Sequence, residues 1–260
     1  MSAELLSEQR GPTLLLTISD PASRNALAEN VLLAGVGALV GASADARVRC
    51  VVLQGAGEHF CAGGNLKGLM ERRRAGPPAQ VRMLEKLNQF VAALHAFPKP
   101  VLAAVEGAAA GAGFSVALAC DMIVASEEAR FVLSYAKVGL SPDGGSSWHL
   151  THALPAALVK QMVWLAEPQS ARRLHELGLV NAVTGKGQAL AEALRLADQL
   201  AAMAPNAMAS AKALIHAAGA QPLGAQLGQE AEHFIHNLFH ANAEDGLKAF
   251  FEKRAPRFDA

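Results

Sequence analysis

Apolar and polar positions follow two different periods along this chain. Short β-branched runs at 13–19, 48–54 and 101–105 have the length of buried strands. The first run follows residues 5–6 across a Gly-Pro turn at 10–12, which predicts an opening β-hairpin. Between these runs, helices are predicted from a turn at 20–27 to about Val40, at 66–74 and at 80–97. Strands that alternate with helices predict right-handed βαβ crossovers and an α/β fold class.

From residue 156 onward the pattern is helical almost throughout. The predicted helices span 156–164, 171–177, 188–203, 206–218, 226–241 and 244–251. They are alanine-rich and apolar over much of their surface, so they need partners, which favours an oligomer. The sequence contains no Pro/Gly/Ser-rich linker long enough to divide the chain. We therefore predict a core at 1–190, followed by a helical C-terminal region at 191–260.

Composition and charge exclude several classes of function. The 260 residues are 52% hydrophobic, enough for a large core, and their formal net charge of zero gives no attraction to nucleic acid or to a membrane surface. Residues 1–11 lack the cationic start and apolar core of a secretory signal, and no uninterrupted apolar stretch reaches the length of a membrane span. The three cysteines lie in apolar or glycine contexts and are expected to be reduced thiols. We expect a cytoplasmic protein.

The candidate chemistry centres on residues 99–143. The strand predicted at 101–105 runs into Gly107-Ala-Ala-Ala-Gly111-Ala-Gly113, where no side chain is larger than a methyl group, and an apolar segment of helical length follows at 114–120. A strand, a glycine turn and a helix N-terminus leave backbone N–H groups free and aimed at one point. This segment therefore predicts anion or oxyanion binding.

Another glycine-rich turn, earlier in the chain, supports this prediction. The strand at 48–54 is followed by residues 57–66, which include Phe-Cys-Ala-Gly-Gly-Asn-Leu and lead into a predicted helix. Two such turns can each donate one N–H to the same oxygen. One well-placed donor of this kind contributes roughly a hundredfold to a thousandfold in rate. The pair is suited to a thioester enolate or a tetrahedral oxyanion.

Three stretches together resemble a known family. PKPVLAAVEGAAAGAGFSVALACDMIVAS at 98–126, FCAGGNL at 60–66 and GLKAFFEKRAPRF at 246–258 are similar in order and spacing to the crotonase superfamily, the enoyl-CoA hydratases and isomerases. The resemblance implies a ββα superhelix with a spiral core that binds an acyl-CoA thioester. It also implies C-terminal helices packed between the subunits of a homotrimer or homohexamer. No metal and no cofactor are implied, because CoA is part of the substrate.

The resemblance also assigns site residues. It implies that the thioester oxygen is bound by the N–H groups of Ala62 and Ala112, and that Asn65 stands where the family commonly has aspartate. Arg24 becomes a candidate contact for a CoA phosphate, although an arginine in a turn is commonly just solvated. The full set of implied substrate-binding residues is Arg24, Ala26, Cys61, Gly63, Gly64, Asn65, Leu66, Gly111, Ser115, Tyr135, Pro142 and Lys253.

The identity of the acid/base follows from the same alignment. The two glutamates of the family's hydratases fall on Ser115 and Tyr135, neither of which is a carboxylate. Asp143 remains, in a segment that resembles the branch with phenylacetate-type enoyl-CoA isomerases, where this aspartate is the acid/base. A pocket walled by Phe114 and Val138, with Leu140, would raise its pKa by desolvation. The following glycine pair predicts a freer backbone there.

We therefore expect double-bond or ring isomerisation of an enoyl-CoA, with Asp143 moving the proton. A hydratase that uses Asp143 with a water, and a catalytically silent acyl-CoA-binding relative, are the alternatives within the family. A structural alternative also exists for Asp143, because Pro-Asp-Gly is a common turn and aspartate a common helix cap.

Two further interpretations compete with this one. The glycines at 107, 111 and 113 match the pattern of short-chain dehydrogenases, but they lie in mid-chain, and Tyr135 is followed by lysine two residues on rather than four. The histidines at 233, 236 and 240 have a spacing that metal sites use, but no carboxylate or cysteine pattern completes such a site. A helix surface or a subunit contact is the interpretation favoured for them.

Overall fold

The computed structural model describes residues 3–258 as two β-sheets and a set of helices. In chain order the strands are β1 (Glu4–Arg10), β2 (Thr13–Ser19), β3 (Cys50–Gly55), β4 (Val101–Val105), β5 (Ala108–Ala110), β6 (Met122–Ser126), β7 (Arg130–Val132), β8 (Gln169–Ser170) and β9 (Ala182–Thr184). The larger sheet has the order β1-β2-β3-β4-β6-β9, and the smaller one the order β5-β7-β8.

Helices fill the connections between these strands. They are α1 (Glu29–Ala44), α2 (Leu66–Ala75), α3 (Pro77–Ala96), α4 (Ala112–Leu118), α5 (Ser146–Ala153), α6 (Ala156–Leu165), α7 (Ala171–Glu176), α8 (Ala189–Ala201), α9 (Pro205–Ala218), α10 (Leu223–Leu238) and α11 (Ala241–Glu252). Short 3₁₀ turns lie at Pro21–Ser23 and Ser134–Val138.

The predicted hairpin and the α/β class are confirmed. Strands β1 and β2 pair antiparallel from Glu4 opposite Ser19 to Arg10 opposite Thr13. From β2 to β9 the neighbours in the larger sheet are parallel, as βαβ crossovers require. Helix α1 connects β2 to β3, and α2 and α3 connect β3 to β4. All of β4 is buried, which is typical of a central strand with both sheet faces covered.

The two faces of the larger sheet contact different helices. Val51 and Leu53 of β3 belong to the main core, together with buried residues of α1 and α3. The alternate residues of β3 pack with α8, which presents Ala189, Ala193 and Ala197 to the sheet. Small side chains at every fourth position let this helix lie close to the strands. The boundary predicted at residue 190 therefore falls inside a helix that packs on the sheet.

Glu106, the carboxylate just before the glycine segment, is directed toward α8. Its Oε1 accepts a hydrogen bond of 3.0 Å from the N–H of Ala189, the first residue of that helix. A carboxylate at this place also interacts favourably with the helix dipole. Glu106 therefore faces away from the glycine turn that follows it.

The structure differs from the predicted secondary structure in two places. The segment from Gly107 to Gly113 is not a simple turn, because it contains β5, which pairs in parallel with β7. The short-chain dehydrogenase interpretation fails for the same reason, because β5 occupies the place where such an enzyme needs a phosphate-binding turn. Strands β8 and β9 lie in the region expected to be helical, and β9 forms an edge of the larger sheet. Strands of two or three residues are too short to show a period of their own.

The helical C-terminal region is confirmed. Helices α9 to α11 follow one another, α10 starting at Leu223 and α11 at Ala241, each three residues before its predicted start. The His240 ring accepts from the N–H of Asn242 at 3.1 Å and so caps α11. Among residues 3–258, no helix combines the length and the apolar character that crossing a membrane requires.

Candidate active site

The first glycine-rich turn, residues 61–65, is held against β5. The N–H of Cys61 donates to the carbonyl of Ala108, and the N–H of Ala110 donates back to the carbonyl of Cys61, both at 2.9 Å. Cys61 is fully buried, and burial raises the pKa of its thiol to about 12. This turn thus extends the small sheet, which fixes its position relative to the second turn.

Asn25 locks the turn at 20–27 onto the same place. Its buried amide nitrogen donates to the carbonyls of Ala56 and His59, at 2.8 and 2.6 Å, and its amide oxygen accepts from the N–H of Asp20. Its φ of 58° is left-handed, a conformation that asparagine adopts more readily than most residues. Asn25 was not predicted as part of the site, although an asparagine in a turn is a recognisable signal.

The prediction that Ala62 donates to an oxyanion is wrong for this backbone. The N–H of Ala62 is already bonded to the carbonyl of Arg24 at 2.9 Å. The N–H of Gly64, two residues on, has no acceptor within residues 3–258. A Cβ built at Gly63 would lie 3.2 Å from the nitrogen of Ala112, so the two glycine turns meet at this point. Gly64 therefore replaces Ala62 as the candidate first donor.

The second turn leads directly into α4. The N–H of Gly111 donates to the carbonyl of Val132 at 2.8 Å, and the first hydrogen bond that closes the helix runs from the N–H of Ser115 to the carbonyl of Gly111. Ala112 is the first residue of the helix, and its N–H has no acceptor among the described residues, as expected for a first turn. A Cβ at Gly113 would lie 2.4 Å from the carbonyl oxygen of Cys61, so only glycine permits this approach.

Asp143 is fixed at both its side chain and its main chain. Its Oδ1 accepts a hydrogen bond of 2.6 Å from the hydroxyl of Tyr135. Its carbonyl oxygen accepts from the hydroxyls of Ser115 and Ser146, at 2.9 and 3.1 Å. Burial raises the pKa of Asp143 above its ordinary value, and the hydrogen bond from Tyr135 partly opposes that rise. Burial and the nearby Asp143 raise the pKa of Tyr135, so its phenol is neutral and acts as a donor.

The surroundings of Asp143 differ from the expectation in two ways. Phe114 faces the core, where it is fully buried against Phe131, so it does not wall a pocket at Asp143. Val138 and Leu140 are exposed. The expectation of a freer backbone is also wrong, because a Cβ at Gly144 would lie 2.9 Å from the Cβ of Ser115. The glycine allows close packing there.

A cavity of about 560 Å³ lies beside the first turn, between the 20–29 segment, α2 and α3. Ala26 and Asn65 line it, and the exposed Leu66 follows Asn65 as the first residue of α2. The Asn65 side chain accepts from the N–H groups of Lys67 and Gly68 and so caps α2, a role that asparagine fills as well as aspartate. Four cations line the cavity, together with three carboxylates: Lys67, Arg72, Arg82 and Lys86, with Asp20, Glu29 and Glu71.

The remaining predicted residues lie apart from these contacts. Arg24 has an exposed side chain and contributes its carbonyl to the first turn. Pro142, half-buried, precedes Asp143. Lys253 is exposed at the end of α11, and no contact described for residues 3–258 joins it to Asp143. His59 accepts from the N–H of Ala108 at 3.2 Å, which gives it a structural part in holding β5.

The histidines of α10 and the residue after its C-cap make ordinary helix contacts. His233 lies 3.0 Å from the hydroxyl of Ser210, and His240 caps α11 as described above. Within residues 3–258 no group of three or more histidine, cysteine or acidic side chains is placed to hold a metal ion.

Known proteins resemble this chain along almost its whole length. A family model described as enoyl-CoA hydratase/isomerase matches residues 8–260. The 2,3-dehydroadipyl-CoA hydratase of Escherichia coli (strain K12) is 34% identical over 98% of both chains, and the 1,2-epoxyphenylacetyl-CoA isomerase of the same strain is 31% identical over 98% of this chain and 97% of its own. The crystal structure of an enoyl-CoA hydratase from Polaromonas sp. JS666 superposes with a TM-score of 0.97 at 50% identity, covering 98% of this chain and 99% of that one.

Proposed function

The chain belongs to the enoyl-CoA hydratase/isomerase family, a family of enzymes with the crotonase fold, and we propose that it isomerises an enoyl-CoA thioester with Asp143 as the acid/base. One observation carries the proposal. Asp143 is the carboxylate held next to α4, while Ser115 and Tyr135 stand where the resemblance puts the two glutamates of hydratases.

The thioester oxygen is proposed to lie between the N–H groups of Gly64 and Ala112. Support comes from their lack of acceptors within residues 3–258 and from the contact between their two turns at Gly63. Removing a proton next to a thioester carbonyl places negative charge on this oxygen. Two fixed donors stabilise that charge without having to reorganise during the reaction.

Asp143 then moves one proton between two carbons. Its carboxylate breaks a C–H bond of the substrate, which gives an enolate, and the new carboxylic acid returns the proton at another carbon. Burial raises the pKa of Asp143 in the direction of neutral pH. A group that both takes up and returns a proton works best when its pKa is near the operating pH. The product has the mass of the substrate. No cofactor beyond the CoA of the substrate takes part in this scheme.

The cavity beside the first turn is the proposed site for the phosphate end of CoA. Lys86 is paired with Glu29 at 2.6 Å, and the Nε of Arg72 donates to Gln80. Lys67 and Arg82 form no ion pair within residues 3–258 and can bind phosphate. The exposed guanidinium of Arg24 comes from the turn that adjoins this cavity.

Hydration is the second candidate reaction, because the names of several similar proteins are those of hydratases. In that case Asp143 would activate a water that adds to a 2-enoyl-CoA. The same site would then need a second group to protonate the neighbouring carbon. Tyr135, whose neutral hydroxyl is bonded to Asp143, is the candidate for this proton donor.

Product analysis distinguishes these reactions. Purified protein is given 2-enoyl-CoA and 3-enoyl-CoA separately, and the products are followed by chromatography and mass. Conversion at unchanged mass, abolished in Asp143→Asn while acyl-CoA affinity stays within about threefold, is the expected result. A gain of one water would establish the hydratase instead, and full turnover in Asp143→Asn would remove Asp143 from the chemistry. Binding without any turnover would indicate a silent relative.

A further inference from the structure

We infer that Tyr135 is a positioning residue that holds one oxygen of Asp143, so that the other oxygen alone exchanges the proton. This inference rests on the proposed function only for its consequence in catalysis. The pairing itself can be tested without any substrate.

The pairing is short and buried. The hydroxyl of Tyr135 lies 2.6 Å from Oδ1 of Asp143, and the Tyr135 side chain is buried on the 3₁₀ turn Ser134–Val138. On its other side this hydroxyl lies 3.6 Å from the point where a Cβ on Gly111 would stand. A phenol donates only one proton, and an ionised carboxylate only accepts, so the bond has a fixed direction. It favours the charged form of Asp143.

The main chain of Asp143 is restrained by different groups. Ser115, from α4, and Ser146, from α5, both donate to its carbonyl oxygen. These bonds fix the backbone but leave the carboxylate free to rotate, and the bond from Tyr135 removes that rotation. Ser115 and Tyr135 occupy the positions that the resemblance assigns to two glutamates. Here both positions serve to hold a third residue, the aspartate.

Other groups near Asp143 do not replace Tyr135. From α5, His149 lies against Gly145, where a Cβ would be 3.4 Å from its ring. Burial and neighbouring histidines lower the pKa of His149 to about 4, so it is neutral near pH 7. Lys137 is exposed on the same 3₁₀ turn as Tyr135, and Leu87 of α3 presents an apolar side chain to Gly144.

Using one oxygen has a stereochemical consequence. Oδ2 takes the proton as a C–H bond breaks, and the same Oδ2–H bond later breaks as the new C–H bond forms. Because Oδ1 is occupied, the carboxylate does not turn over between the two steps. Both transfers therefore take place on one face of the substrate, and part of the hydrogen removed is returned to the same molecule.

The composition of the chain offers a direct test. Tyr135 is the single tyrosine, so growth on 3-fluorotyrosine places one ¹⁹F probe at this position and nowhere else. We expect the ¹⁹F signal to titrate with pH as Asp143 gains its proton, with a midpoint above the value of about 3.9 that is ordinary for aspartate. This titration should vanish in Asp143→Asn. A signal that does not move below pH 8, or that moves equally in Asp143→Asn, overturns the pairing.

Tyr135→Phe tests the consequence for catalysis, with Ser146→Ala as the matched control. Tyr135→Phe removes a bond that favours charged Asp143. In a plot of kcat/KM against pH, the rising limb should therefore shift to higher pH. The substitution should also lower kcat by about tenfold, the order expected for a hydrogen bond to a charged group. Ser146→Ala removes only a bond to the carbonyl of Asp143 and should lower kcat without moving the limb.

An unmoved limb in Tyr135→Phe overturns the inference. If Tyr135→Phe does not fold, the fluorinated protein takes its place, because its more acidic phenol is a stronger donor and should move the limb to lower pH. If no enoyl-CoA is turned over at all, the proposed function fails, while the ¹⁹F titration still decides whether Tyr135 holds Asp143.

Discussion

Gly144 sets the distance between the Asp143 segment and α4. Its φ of +57° is left-handed, and the hydrogen that replaces a side chain there faces Ser115. With this close approach the Ser115 hydroxyl reaches the carbonyl of Asp143 at 2.9 Å. A side chain at position 144 would push the segment away from α4 and so displace the carboxylate of Asp143, the preceding residue.

Substituting Gly144 by alanine should therefore cost more stability than its backbone angle alone explains. Gly139→Ala is the matched control, because its φ of +71° is also left-handed but a Cβ there would meet nothing within 4 Å. We expect a loss of about 1–2 kcal/mol for Gly139→Ala from the backbone angle. The loss for Gly144→Ala should be larger by about 1–3 kcal/mol, owing to the contact with Ser115. Equal losses, measured by denaturant unfolding at one protein concentration, would contradict the packing account.

At the residue scale, the sequence indicates candidate residues but not which hydrogen bonds their groups make. The segments of the two proposed donors were identified from their glycine content, and Asp143 was proposed because the resemblance leaves no glutamate at Ser115 or Tyr135. The sequence does not indicate which N–H group of the first turn is left without an acceptor. Ala62 and Gly64 are two residues apart, and only the carbonyl of Arg24, from a distant segment, decides between them. The bond from Tyr135 to Asp143 likewise depends on a fold back of eight residues.

At the scale of elements, a cluster of aromatic rings joins α3, α5 and α9. His95 of α3 is stacked on His216 of α9, with ring centroids 4.0 Å apart. It also contacts Trp148 and His149 of α5, at 5.4 and 5.5 Å. Helix α5 begins at Ser146, which bonds the carbonyl of Asp143. The cluster thus anchors the segment that carries Asp143 to the C-terminal helices.

This cluster should make the protein less stable in mild acid. Burial is the main cause that lowers the pKa of His149 to about 4, and it also lowers the pKa values of His95 and His216. The unfolded chain, with histidine near 6.5, therefore binds more protons than the folded chain between about pH 4 and 6.5. Stability is complete above about pH 6.5 and falls as the pH decreases toward 4.

His149→Gln should reduce that fall, because glutamine does not titrate. The measurement is the thermal midpoint at a series of pH values from 4 to 8. His236→Gln, exposed on α10 and outside the cluster, is the control and should keep the pH dependence of the unmodified protein. If His149→Gln loses as much stability on acidification as the control does, His149 is not the group responsible.

Long helices and strands were predictable from the sequence, and very short strands were not. The twenty residues of α3 and the five buried residues of β4 carry enough positions to show their period. Strand β5 has three alanines, which fit a turn, a strand or a helix equally well. It is a strand because β7 and the first donor turn lie on either side of it and satisfy its backbone groups. Such pairing depends on tertiary contacts, which local sequence does not record.

At the scale of the whole molecule, the C-terminal helices leave large apolar side chains uncovered. Phe239, Phe250 and Phe251 are 84%, 78% and 79% exposed, and Phe234 and Ile235 of α10 are also more than half exposed. Apolar surface of this extent is uncommon on a monomer and marks an interaction site. The resemblance to a family that assembles through these helices makes a second copy of this chain the expected partner.

Replacing both Phe250 and Phe251 by glutamate should dissociate the expected oligomer, because charges would then have to be desolvated in the contact. Light scattering after size exclusion should give three or six times 27.1 kDa for the unmodified chain and a smaller mass for the variant. Val40→Glu is the control, since Val40 is 67% exposed on α1, away from the C-terminal helices, and should leave the mass unchanged. A mass of 27.1 kDa for the unmodified chain at micromolar concentration would mean that these phenylalanines serve another partner. Dissociation by Val40→Glu alone would place the contact on α1 instead.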